Sequence, residues 1–484
     1  MEMGFMENEF SWDFSLANYS EVWSFMVQIG LLFLFLMLGN TLRRKIPWFR
    51  KCLIPSALLG GVTLLIVNSV LGTFGLDLVN KHVMQVITYH CLAIGFAAMS
   101  LKTEKKKIEA NPTQVFEFGA AQGGTYMIQA FVGLGITIVL FLLTQGEKVV
   151  SYISGLILPL AFGQGPGNAL SWDVNYTNMP DNAFFGYGSF GLSLASIGFV
   201  VASVLGIVYI NIHKKRGLKI RDGVRREELS AIYEESVNEI PDNESVDKFS
   251  LQIGFVFIAY AISFGFMCLL GVISDFTNSI AWGFNFLWAS LAAMLVKAFV
   301  KVLRKTKMMK REYINNYQMD RISGLFFDLM IVAGVTAIEI NDVKNYIIPI
   351  VILSVVGAAI TWAYLRLVAK ECFPGFEHEF FLMCFGTFTG TASNGMILMK
   401  QVDPALRTPT SGLYILSNFP AMVMIAPLLF LLGFAGRSFT NAIIACAIFF
   451  ALWVLYTAFL FRRKIFKRAY KNKPVKVWQE EKQE

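Results

Sequence analysis

The chain has 484 residues, of which 55% are hydrophobic and 16% charged, with a mean hydropathy of +0.55. A soluble domain carries about 25% charged residues, so this balance excludes one and leaves room for about ten to a dozen spans of about 20 residues. The formal charge of +8 does not point to nucleic acid, because the basic residues sit at the ends of apolar runs rather than in one patch. Six scattered cysteines (Cys52, Cys91, Cys268, Cys372, Cys384, Cys446) show no metal-ligand spacing and predict no disulfide framework.

Residues 1–21 open with the acidic MEMGFMENEF, and no small-residue cleavage site follows the first apolar run, so that run reads as a true span. The loop charges below make residues 1–21 an extracytoplasmic segment. Apolar windows predict spans at 22–42, 52–72, 82–101, 114–143, 188–211, 250–274, 281–303, 322–340, 345–369, 410–433 and 440–462. RRKIPWFRK (43–51), LKTEKKK (101–107), HKKRGLKIRDGVRR (213–226), KVLRKTKMMKR (301–311) and RRKIFKRAYK (462–471) make one side strongly basic. The other side carries only strays such as Lys81, Lys148, Lys344 and Arg437. This positive-inside pattern holds only if two glycine-broken segments, 151–172 and 377–399, each enter and leave on one side. The stretch 212–249 reads as a solvated cytoplasmic linker.

The expected fold is an all-α polytopic membrane protein. Two inverted-topology repeats of five transmembrane helices, 22–211 and 250–434, each hold a glycine-rich re-entrant hairpin loop. An extra C-terminal helix (435–462) and a basic cytoplasmic tail (463–484) follow. A helix broken at membrane depth frees peptide groups that protein, water or ligand must satisfy. In AFGQGPGNAL (161–170), Gly163, Gly165 and Gly167 allow tight turning, Pro166 stops the helix, and Gln164 and Asn168 supply polar side chains. In FGTFTGTASNGMI (385–397), Gly390, Thr391 and Asn394 repeat this chemistry. The two segments are therefore the expected substrate site. Thr389, Thr391, Ser393 and Asn394 offer hard oxygens for Na⁺. Asp328 is the most deeply placed acid; it reads as a Na⁺ or proton ligand, or as a residue near the cytoplasmic end of its helix.

These residues resemble the sodium/glutamate symporter family of bacterial secondary transporters. The resemblance is carried by LMLGNTLRRKIPWFRKCLIPSALLGG (36–61), AIGFAAMSL (93–101), YMIQAFVGLGI (126–136) with Gln129, PLAFGQGPGNALSW (159–172) and CFGTFTGTASNGMILM (384–399). It implies crossed hairpin loops, Na⁺-coupled uptake of L-glutamate across the bacterial plasma membrane, and a homodimer. The chain departs from the family at Gln164, where the family loop has a histidine, and at Pro166 and Asn168, where it has small residues. The extra C-terminal helix also departs. Alternatives are a carrier for another dicarboxylate or citrate-like acid, or H⁺ coupling. An intramembrane enzyme or a channel is distant: there is no HExxH, no pair of catalytic acids and no cofactor box. Na⁺ is the one cofactor expected.

Overall fold

The computed structural model describes residues 19–102, 111–144, 150–177, 179, 185, 188–216, 248–309, 311, 313–404, 406 and 408–465. Most of the predicted N-terminal segment, linker and tail lies outside them. The first half runs α1 (Tyr19–Lys45), the short α2 (Pro47–Lys51), α3 (Ser56–Gly72), α4 (Lys81–Leu101), α5 (Pro112–Leu143), α6 (Ile157–Gly163), α7 (Pro166–Thr177) and α8 (Ser189–Lys215). The second runs α9 (Lys248–Gly271), the short α10 (Asp275–Gly283), α11 (Asn285–Lys305), α12 (Asn316–Thr336), α13 (Ile340–Cys372), α14 (Glu377–Thr389), α15 (Ala392–Met399), α16 (Thr410–Leu416) and α17 (Asn418–Ala435). Helix α18 (Phe439–Ile465) ends it. Asparagines start several of these helices. Asn80, Asn111 and Asn315 each accept a first-turn N–H of α4, α5 and α12, and Pro112 begins α5 where no N–H is needed.

Among the described residues nine helices are long and apolar enough to cross a membrane: α1, α4, α5, α8, α9, α11, α13, α17 and α18. The protein is a multi-span helical membrane protein. Two predicted spans fall outside this set for physical reasons. Helix α3 has 17 residues, about 25 Å, which is just short of a hydrocarbon core of about 30 Å. Helix α12 starts six residues earlier than predicted and so takes in Asp320 and Arg321 in addition to Asp328. The predicted span 410–433 is split at Ser417, because Pro420 has no N–H to continue a helix but fits a first turn.

The helices form two bodies. In one, α4 packs on α11 and α12, α12 on α3, α1 on α3, and α9 on α11. In the other, α5 packs on α13, α17 and α18, while α8 packs on α13 and on both broken segments. Contacts sort the helix ends into two faces. Lys102–Asp320, Tyr209–His378 and Arg462–Glu117 join one face; Lys81–Glu339, Ser189 to the Glu339 N–H, and Tyr176–Leu432 join the other. Arg43, Arg44, Lys45, Lys51, Lys215, Arg304, Lys305, Lys370 and Lys400 all lie on elements ending at the first face.

Helix α18 lies antiparallel along α5, with Phe439 at Phe141, Phe450 at Phe131, Tyr456 at Gly123 and Arg462 at Glu117. The Glu117 carboxylate is 2% exposed and receives Arg462 Nη2 at 2.8 Å. Removing the cation leaves a buried charge without its counter-ion, so Arg462→Ala is expected to cost about 3 kcal/mol of stability. Glu117→Gln should cost less. Thermal unfolding of the purified variants checks this, and an Arg462→Ala midpoint equal to wild type would refute it.

Candidate functional site

Each broken segment has one arm of roughly half-membrane length: α7 has 12 residues, about 18 Å, and α14 has 13, about 20 Å. The first segment approaches from the face of Lys81 and Glu339, the second from the face of Arg462 and Glu117. Only Gln164 and Gly165 separate α6 from α7, and only Gly390 and Thr391 separate α14 from α15. Gly165 has φ +83, a left-handed conformation that glycine adopts without strain. A Cβ built there lies 3.4 Å from Thr391 Cγ2 and 3.9 Å from the Gly390 oxygen, so the two breaks meet in the interior.

Neighbouring helices hold the breaks in register. On α5, Tyr126 Oη donates to the Gly163 oxygen at 2.9 Å, and Gln129 Nε2 donates to the Phe388 oxygen at 2.8 Å. Gly198 of α8 fits against both segments: a Cβ on it would meet the Thr389 oxygen at 2.5 Å and Phe162 Cδ1 at 3.1 Å. Met330 of α12 closes the other side, its Cε 4.0 Å from a Cβ on Gly165.

The two breaks share a detail. Asn168 is the third residue of α7, Asn394 the third of α15. Asn168 is 0% exposed, and neither its Nδ2 nor its Oδ1 has a hydrogen-bond partner; Asn394 is 7% exposed, and its Nδ2 has none. Such groups cost about 1–3 kcal/mol each when left unpaired, so their burial needs an explanation. Thr391, the N-cap of α15, makes no capping bond, which leaves first-turn N–H groups facing the same place.

The structure brings Gly163, Gln164, Gly165, Gly390, Thr391 and Asn394 together, with Asn168 one helical turn from Gln164. Gly167 instead packs its backbone against Leu92 of α4. Thr389 spends its hydroxyl on the Phe385 oxygen at 2.6 Å, and Ser393 is exposed on α15. Asp328 stands apart. It faces the charge of Arg43, and it lies one turn from Val332, which packs on Gly61 of α3. Met330, two residues on, points to the opposite side of α12 and is the residue that reaches the tip.

Sequence reasoning missed Tyr126 and Asp173 and saw Gln129 only through the resemblance. The pair Tyr126–Gln129, polar and three apart in an apolar span, was the available signal. Asp173 is 0% exposed on α7 and accepts the N–H of Gly188 at 3.0 Å and of Gly191 at 2.6 Å, which caps α8. No protein-family model matches the chain, and no curated protein matches it. Asp173→Ala is expected to leave two buried N–H groups without an acceptor and cost about 2–4 kcal/mol. A drop in the unfolding midpoint larger than that of Thr177→Ala on the same helix checks this; equal midpoints would sink it.

Proposed function

We propose that the chain is a secondary active transporter that takes up a small carboxylate, L-glutamate by the resemblance, together with Na⁺ by alternating access. The observation that carries this is the meeting of two half-helix pairs, entered from opposite faces, around buried asparagine amides without partners. Amide N–H₂ groups and helix N-termini are donors aimed at a carboxylate.

The order of elements supports two inverted repeats. Each half runs long, short, long, long, very long, broken pair, with α5 at 32 residues matched by α13 at 33. The packing pairs α3–α12 and α11–α4 are equivalent under that correspondence, as are α1–α3 and α9–α11. The basic face reads as cytoplasmic, which gives an extracytoplasmic N-terminus and a cytoplasmic C-terminus. Both segments pack on α8, but α7 is otherwise held against α4, α10 and α12, whereas α14 and α15 pack on α5, α6, α13 and α16, with Ser393 exposed. That asymmetry fits a carrier open toward the basic face. The tip side chains named above are neutral, which favours Na⁺ over H⁺ as the coupling ion. The bilayer and a second copy of the chain are the partners of this reading.

Reconstituted in liposomes with an inward Na⁺ gradient, the protein should accumulate labelled L-glutamate. Asn168→Ala and Asn394→Ala should each lower uptake by about tenfold or more while remaining folded. Unchanged uptake kinetics in both variants would remove the site; accumulation of another acid in place of glutamate would change the substrate and leave the site.

A further inference from the structure

The C-terminal ends of α6 and α14 both run onto a single turn of α5. Tyr126 holds the last carbonyl of α6 at Gly163, and its ring packs edge-on against Phe388, 5.1 Å between centroids. Gln129 Nε2 bonds the Phe388 oxygen and Thr361 Oγ1, each at 2.8 Å. Thr361 gives its own proton to the Gly357 oxygen at 2.7 Å. Both partners of this nitrogen are therefore acceptors, so the orientation of the Gln129 amide is chemically fixed. Its Oε1 is thereby fixed as well, on a side chain 0% exposed, and it has no donor. Gln164 Oε1, on the residue after Gly163, is likewise buried without a donor.

Two unpartnered amide oxygens thus stand where the negative ends of two half-helices converge. An anion is repelled there, and a hard cation gains from both the dipoles and the oxygens. Of the other expected ligands, Thr389 gives its hydroxyl to Phe385 and Asp328 lies to the side of Arg43. Among the described residues no group of three His, Cys, Asp or Glu side chains gathers to hold a metal. We propose that the coupling Na⁺ is seated at this turn of α5 by Gln129 Oε1 and Gln164 Oε1, at the carbonyl ends of α6 and α14. Thr389 and Asp328 are outside this seat. The inference rests on the Na⁺-coupled reading and gives it an address.

The test reads Na⁺ binding alone, as the rise in unfolding midpoint of the purified full chain when NaCl replaces choline chloride. Gln129→Met and Gln129→Glu both lose the Nε2 bonds to Phe388 and Thr361, but only glutamate keeps an oxygen where Oε1 stands. The half-saturating Na⁺ concentration should rise about tenfold or more in Gln129→Met and in Gln164→Met, and stay within about threefold of wild type in Gln129→Glu. Gln164→Met carries the test if the Gln129 variants do not fold. Equal losses in Gln129→Met and Gln129→Glu would overturn the role of Oε1. Unchanged Na⁺ response in both Met variants would overturn the seat and leave Na⁺ coupling standing. No Na⁺ response in the wild-type protein would overturn the coupling and the seat together.

Discussion

An unpaired peptide group buried away from water costs several kcal/mol, and this protein breaks two helices in its interior. Four helix ends result, and the rest of the site follows from how each is satisfied. The C-terminal end of α6 is met by Tyr126, that of α14 by Gln129 and by the Thr389 hydroxyl turning back to Phe385. One helix, α5, therefore serves both breaks. At 32 residues it runs about 48 Å, well beyond a core of about 30 Å.

Close backbone approach then sets how near the two tips come. The arms of the second segment touch through Gly386 and Gly395, where a Cβ on Gly386 would lie 2.6 Å from the Gly395 Cα. Helix α8 passes between the segments at Gly198, in contact with Phe162 on one side and the Thr389 oxygen on the other. Its start is pinned to α7 by the Asp173 carboxylate. A shift of α8 along its axis would disturb both breaks at once, so the buried acid acts on tip spacing from a distance.

The spans were legible because hydropathy needs only one face or none to be polar, and the breaks because glycine and proline mark them directly. What failed did so for local reasons. Helix α12 carries Asp320, Arg321 and Asp328, and hydropathy cannot tell that their helix is nonetheless packed between α3 and α4. Asp328 looked like a ligand because depth alone was visible; which side of the helix it occupies depends on α1 and α3, far away in sequence. Asn168 and Asn394, whose buried amides lack partners, were singled out by residue type beside a break. Tyr126 and Gln129 were harder, because the carbonyls they serve lie 37 and 259 residues away.

The arrangement of donors and acceptors carries one more consequence for the proposed coupling. Across each break, the helix that ends presents oxygens and the helix that begins presents N–H groups with an asparagine at its third position. Oxygens from both breaks collect at α5, and amide donors collect at Asn168 and Asn394. A cation at the oxygen ends and a carboxylate at the amide donors would neutralise each other. Either ion alone would leave an uncompensated charge in a medium of low dielectric constant, where its self-energy is largest. Binding of each would then strengthen binding of the other by the same factor, as linkage requires. Coupling of the two solutes needs no separate device in such a site: it follows from placing opposite helix ends, rather than charged side chains, around one shared space.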